Sequence, residues 1–292
     1  MKIVFLGTPE VAAGTLRALV DAGHDVRLVV TRADVRRGRG PEASPSAVKV
    51  AAMELGLPVA YRATDVLGSG AELGVVVAYG RIVKPDVLAE TPMVNMHFSL
   101  LPRWRGAAPV ERAILAGDPE TGVCLMGLEE GLDTGPVYAR LRTAIGDDET
   151  AEELRQRLGH LGNALLLQKL RDGLGDAVPQ VGEPTYAAKL EPSELRLDFT
   201  KPAEVEGRVI RVGRAWTTWR GKRLLVRRAR VLQEDDHLSA QHLSVGQVQG
   251  TKVGTSQGVL ELLVVQPEGK PAMDAEAWAR GARPQPSERL GE

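Results

Sequence analysis

The chain has 292 residues and a net charge of −1 from 37 basic and 38 acidic side chains, which excludes a uniformly basic, histone-like binder but leaves room for a local basic face. With 43% hydrophobic and 26% charged residues, wholesale disorder is excluded, and the length suits two domains or one large one. One cysteine, Cys124, leaves no internal disulfide and points to a reducing compartment. No apolar run approaches the roughly 18 residues of a membrane span, and the opening is not leader-like, so a cytoplasmic monomer away from membranes is expected.

The N-terminal part alternates strands and helices. Residues 2–6 form a short apolar run closed by Gly7-Thr8-Pro9. A helix follows over 10–20, with Val11, Leu16, Leu19 and Val20 at helical spacing, ending near Gly23. Residues 25–30 read as a strand, and 45–55 as a helix opened by Pro45 or Ser46 and ended by Gly56. The run 73–79 is continuously apolar, as in a strand covered on both faces, and 93–97 is another strand. Together they predict an α/β fold with a mostly parallel, Rossmann-type sheet. The first strand is not followed by G-x-G-x-x-G, and no Walker A pattern occurs, so the usual nucleotide fingerprints are missing. The crevice at the carboxyl ends of the strands still directs attention to Tyr79-Gly80 and to 95–97.

Two short strands, 123–126 and 137–140, flank a polar loop bounded by Gly131 and Gly135. A long helix spans 150–171, capped by Thr150, with Leu154, Leu158, Leu161, Leu165 and Leu166 as its buried stripe. Residues 173–183 read as loop. A first domain over 1–190, a linker over 191–203 and a second domain over 204–292 are expected. Helical periodicity over 202–212 gives way to strands at 223–230, 245–253 and 259–266, which suit a small, oligonucleotide-binding-like β-barrel.

Charge is unevenly spread. Residues 201–230 hold ten basic groups against Glu204 and Glu206. Such a block is either a solvated face or a patch for phosphates. Trp216 and Trp219 beside it are either stacking platforms for bases or barrel-core tryptophans.

One cluster has the makings of chemistry. Asn95 and His97 lie two apart at a strand end, so both side chains leave on one face. Asp133, in the glycine-bounded loop, is a carboxylate able to reach them. Histidine can take the proton of an attacking amine, aspartate can fix its tautomer, and an asparagine amide can donate to an oxygen gaining charge. Residue by residue, an ordinary strand-end histidine and an ordinary turn aspartate explain the same letters. Cys124 sits in Val-Cys-Leu-Met and reads as core. The five histidines form no H-E-x-x-H pattern and have no cysteine pairs beside them, so no metal is expected.

Residues 95–109, Asn-Met-His-Phe-Ser-Leu-Leu-Pro-Arg-Trp-Arg-Gly-Ala-Ala-Pro, followed by Gly131-Leu-Asp-Thr-Gly135, resemble the methionyl-tRNA formyltransferases, within the wider 10-formyltetrahydrofolate-dependent formyltransferase family. The text at 5–10, 76–80 and 266–273 is similar as well, so the resemblance covers residues 2 to about 280. It implies a Rossmann-type formyltransferase domain with a smaller barrel domain. It also implies transfer of the formyl group of 10-formyltetrahydrofolate to methionyl initiator tRNA. Carried over by position, Asn95, His97 and Asp133 look like the catalytic trio, and Ser99, Leu100, Leu101 and Pro102 like the folate-contacting loop, with Tyr79 and Gly80 beside it. Arg32, Arg36, Arg37 and Arg39 look like the family's basic loop toward tRNA, with Arg220, Arg223 and Arg227 as further tRNA-binding residues. The sequence departs from the family at Phe98, where a small residue is usual, and at 213–219, where Asn-Pro-Trp-Pro is common. A formyltransferase for an amino-sugar nucleotide or glycinamide ribonucleotide, and a non-catalytic RNA-binding protein, are the alternatives.

Overall fold

The computed structural model describes residues 1–36, 43–232 and 243–292, and divides into two compact units. The first comprises Met1–Val110, Glu120–Ala144 and Leu154–Ala188, and the second comprises Glu111–Pro119, Ile145–Glu153 and Lys189–Glu292.

In the first unit, β1 (Lys2–Gly7), α1 (Glu10–Asp21), β2 (Asp25–Val30), β3 (Val35–Arg36), β4 (Ala43–Ser44), α2 (Ala47–Glu54) and β5 (Val59–Ala60) make up the first winding. Ser46 caps α2 by accepting the Lys49 N–H at 3.0 Å, and its hydroxyl also meets Thr31 in a buried 2.8 Å bond. The chain returns through β6 (Leu73–Val77), α3 (Pro85–Glu90), β7 (Met93–His97), β8 (Arg105–Gly106), α4 (Pro109–Ala116), β9 (Glu120–Gly127), β10 (Val137–Ala144), α5 (Ala151–Asp172) and β11 (Tyr186–Ala187), with α4 from Glu111 onward and α5 up to Glu153 counted in the second unit. The main sheet has the order β10-β9-β7-β6-β1-β2-β5. Its pairs from β7 to β5 are parallel, while β9 and β10 are antiparallel additions.

Every residue of β6 and β7 is buried, which explains the unbroken apolar text of β6, while in β7 the burial takes in the polar Asn95 and His97. The strand predicted to reach residue 79 stops at Val77 because Ala78 turns to φ +46° and leaves the ladder. The helix α5 corrects the predicted stripe. Leu154, Leu158, Leu166 and Leu170 are buried, whereas Leu161 and Leu165 are only partly so. Gly162 occupies the row between them, because a Cβ there would stand 2.5 Å from Met96 Sδ of β7.

The second unit carries α6 (Ala203–Val212), β12 (Trp216–Trp219), β13 (Lys222–Val231), β14 (Val248–Gln249), β15 (Lys252–Gly254), β16 (Val259–Pro267), β17 (Met273–Asp274) and α7 (Ala275–Ala282). Its antiparallel sheet has the order β12-β13-β16-β15-β14, with β17 on β16, and curls into a half-barrel. The strand expected over 245–253 is instead a hairpin whose turn begins at Gly250, φ +61°. The stretch 191–203, expected as a linker, belongs to this unit's core. Leu195, Leu197 and Phe199 alternate inward at 3–4% exposure, and Leu197 N–H bonds Trp216 O at 2.8 Å. Trp219 is core, edge-on to Trp278 with centroids 5.5 Å apart.

Candidate active site

Chain order turns back at β1: β2 and β5 lie on one side, β6 and β7 on the other. Such a switch point opens a crevice at the carboxyl ends of the strands. Thr8, after β1, bonds the Tyr79 carbonyl at 3.4 Å across this end. Asn95 and His97 close the neighbouring strand, paired in register with Met126 and Cys124 of β9.

The sheet brings these two side chains to Asp133 across a long stretch of chain. Asn95 Nδ2 donates to Asp133 Oδ1 at 3.4 Å, and His97 Nδ1 lies 3.7 Å from Asp133 Oδ2. Asp133 itself is held in the left-handed region, φ +50°, in a loop whose glycines leave no spare room. A Cβ on Gly135 would fall 1.9 Å from Gly127 O. Asp133 Oδ2 also accepts the Gly106 N–H at 2.8 Å. That amide is presented by the short β8–β11 pairing, where a Cβ on Gly106 would meet Ala187 O at 2.9 Å.

His97 Nε2 is 2.9 Å from the Trp104 carbonyl. A carbonyl only accepts, so Nε2 carries the proton. The neutral ring then keeps its lone pair on Nδ1, on the side of Asp133, and a protonated ring would face Asp133 as an ion pair. Asn95 and His97 are 9% and 5% exposed.

Residues proposed to contact a cosubstrate occupy two kinds of place. Ser99 and Leu101 are 0% and 1% exposed. The Ser99 hydroxyl bonds the Arg103 carbonyl, and Leu101 packs with Cys124, Met126 and Val137. Their side chains hold the loop and offer no surface. Leu100 and Pro102 are half-buried, Tyr79 is buried, and Gly80 is exposed at φ +77°. Burial pushes the Tyr79 phenol above its usual range. Phe98 is also core, at 7% exposure, so this departure from the family pattern has a packing place.

Of the basic residues singled out, Arg37 and Arg39 lie outside the described residues. Arg36 ends β3, and Arg32 is half-buried, with one guanidinium nitrogen bonded to Ala33 O at 3.2 Å. In the second unit Arg220 forks onto Glu288 at 2.6 and 2.9 Å, Arg227 holds the neutral Gln266 amide, and the Arg223 guanidinium lies 4.3 Å from the Trp216 ring centroid. Arg228 and Arg230 pair with Glu153 and Glu261. Acidic neighbours therefore compensate much of the positive block.

Three parts of the site had no sequence signal of their own: the Gly106 amide, the Trp104 carbonyl and the Gln180 side chain, which bonds the Asp133 carbonyl at 2.8 Å. Backbone groups carry no letter, although Gly106 lies inside the motif. Among the described residues no group of three or more His, Cys, Asp or Glu side chains is placed to hold a metal, and no helix is long and apolar enough to cross a membrane.

Residues 1–170 match the formyl transferase family, and 189–283 match the formyl transferase C-terminal domain. The chain is 42% identical over 301 residues to the methionyl-tRNA formyltransferase of Symbiobacterium thermophilum, covering 96% of this chain and 92% of that one. It is 42% identical over 312 residues to the methionyl-tRNA formyltransferase of Streptomyces coelicolor, with both chains covered in full. In fold it is similar to an N-formyltransferase from Helicobacter canadensis in complex with folinic acid and dTDP-3-aminofucose. That likeness has a TM-score of 0.70 at 16% identity, over 90% of this chain and 99% of that one.

Proposed function

Since the chain belongs to the methionyl-tRNA formyltransferases, we propose that it transfers the formyl group of 10-formyltetrahydrofolate to the α-amine of methionyl initiator tRNA, using Asn95, His97 and Asp133. The observation that carries this reading is the convergence of the three side chains, with Asp133 Oδ2 pinned by the Gly106 amide 2.8 Å away. The folate cosubstrate supplies an activated formyl carbon. As the amine adds to that carbon, the second N–H of the Asn95 amide is available to the oxygen that gains charge. His97 Nδ1 accepts the amine proton, and Asp133 holds the imidazolium so formed. Collapse of the adduct breaks the bond between the formyl carbon and N10 of the folate, the proton held at His97 Nδ1 passes to that nitrogen, tetrahydrofolate leaves, and no side chain need be acylated.

The crevice chemistry suits a flat, partly apolar cosubstrate. Leu132, beside Asp133, is 60% exposed, and Ile82, beyond Gly80, is 80% exposed. Ligand clefts are lined largely by apolar side chains with a few polar groups, and Leu132, next to Asp133 in sequence, would supply part of such a lining. Ser99, Leu100, Leu101 and Pro102 then act mainly through their backbone and through the half-buried Leu100 and Pro102. Arg32 and Arg36, with Arg37 and Arg39, are assigned to the tRNA acceptor end, and Arg220, Arg223 and Arg227 to tRNA phosphates.

The test mixes purified protein and labelled formyl donor with charged initiator tRNA, uncharged tRNA, free methionine and an amino-sugar nucleotide. Label is expected on charged tRNA alone. Label on free methionine or on the sugar at a comparable rate would overturn the assignment.

A further inference from the structure

Gln180 lies between the two stretches that match formyl transferase families, 1–170 and 189–283, in the segment that the sequence reads only as loop. The segment nevertheless runs as a strap over the site. Val178 exchanges two backbone hydrogen bonds with Val137, at 2.8 and 3.0 Å, at the foot of the Asp133 loop. Thr185 Oγ1 accepts the Trp104 N–H at 2.9 Å, and Thr185 O accepts the Arg105 N–H at 2.8 Å. Ala187 then pairs with Gly106.

Between these anchors the Gln180 carboxamide makes four hydrogen bonds. Its Nε2 donates to the carbonyls of Asp133 and Gly135, both at 2.8 Å. Its Oε1 accepts from Arg105 Nε at 3.1 Å and from Arg105 Nη2 at 2.7 Å. Both amide protons and the amide oxygen are thus used, and the orientation is unambiguous: reversed, the oxygen would face two carbonyl oxygens and the amine a guanidinium. Arg105 is adjacent to Gly106, whose N–H holds the Asp133 carboxylate. One side chain therefore ties the backbone of Asp133 to the segment that grips its carboxylate.

We infer that Gln180 is a positioning residue for the proposed transfer: its amide holds Asp133 in the left-handed conformation that sets the carboxylate against His97 and Asn95. Gln180 makes no bond to either of those residues, so its effect on the reaction runs through Asp133. A displacement of about 1 Å at a reacting constellation is worth up to about 100-fold in rate.

The inference rests on the proposed reaction, and two variants test it. Gln180→Met keeps the length and removes all four bonds. Gln180→Glu keeps an acceptor for Arg105 but sets a carboxylate oxygen against the two loop carbonyls. Both are expected to lower kcat by about 10- to 100-fold, with KM for the folate donor and for charged tRNA unchanged. The decisive readout is a double-mutant cycle. In an Asp133→Ala background, Gln180→Met should cause no further loss, because the group it positions is gone. A purely structural role would multiply the two losses. Multiplied losses, parental kcat in both variants, or a change in KM alone would overturn the inference. An inactive parent would remove the reaction and this role together, whereas an active parent with unaffected variants removes the role alone.

Discussion

His97 and Asn95 reach the crevice because a strand has a period of two, and they are polar in a strand otherwise buried and apolar. Their expected contributions differ in kind. His97→Ala should lower turnover by about 10²–10⁴-fold, the usual value of general acid–base help. Asn95→Ala should lower it by about 10²–10³-fold, as loss of an oxyanion donor does. Affinity for charged tRNA should hold in both, and single-turnover rates beside filter binding check this. Near-parental turnover in His97→Ala at saturating substrates would remove its role. Only part of this site was legible in the letters: Asn95, His97 and Asp133 could be grouped by strand-end spacing and a polar loop. The Gly106 amide and Trp104 carbonyl that orient them were not, since they are main-chain groups aimed by a pairing with residues 185–187.

At the scale of elements, the Asp133 loop is bounded by glycines because neighbouring backbone fills the space a side chain would take. Gly135→Ala would place Cβ 1.9 Å from Gly127 O. Overpacking of that kind costs about 1–3 kcal/mol. A lower melting temperature together with reduced turnover is therefore expected, and parental values for both would show that the loop gives way freely. Helix α6 presents a different case. Glu206 is 1% exposed, and its carboxylate accepts the Asp198 N–H at 3.0 Å. Burial raises its carboxyl above the usual range, so the folded state binds its proton more tightly than the unfolded state does. Its contribution to stability is complete below the unfolded value near 4.5 and is lost as pH rises through the raised folded value. Glu206→Gln keeps an acceptor for Asp198 and should raise the melting temperature at neutral pH while flattening its dependence on pH. Superimposable melting profiles for parent and variant would count against this account.

Across the whole molecule, near-zero net charge conceals a basic stretch whose strength the fold reduces. Arg220, Arg228 and Arg230 face Glu288, Glu153 and Glu261, and Arg220 pulls the Glu288 carboxyl down to about 2. Arg223 stacks on an indole and Arg227 on β13 meets a neutral amide. A break in the β13–β16 register after Val226 accompanies exposure of both Arg227 and Arg228, where strict alternation would bury one. If tRNA phosphates meet this unit, Arg223→Ala and Arg227→Ala should weaken binding of initiator and elongator tRNA alike. Each should flatten the log–log salt dependence by about one unit for every phosphate that the protein no longer neutralises. Arg220→Ala should do less, because its charge is already engaged. Titration of both tRNAs at several salt concentrations checks the ranking, and a selective loss for one tRNA would assign these arginines to discrimination instead.

Local periodicity and short motifs were enough to read the α/β winding, the two-sided cover of β6 and the β-rich second part, and to offer Asn95, His97 and Asp133 as candidates. The remaining features arise from contacts between segments distant in sequence. These make 191–203 core, replace a leucine row by Gly162 against Met96, and neutralise much of the basic block with acids such as Glu288, 68 residues along the chain. They also give Gln180 four hydrogen bonds to three residues, Arg105, Asp133 and Gly135, 45 to 75 positions away. The physical reason is that periodicity records which face of an element is buried, whereas hydrogen bonds and ion pairs between distant segments depend on where the folded backbone brings them.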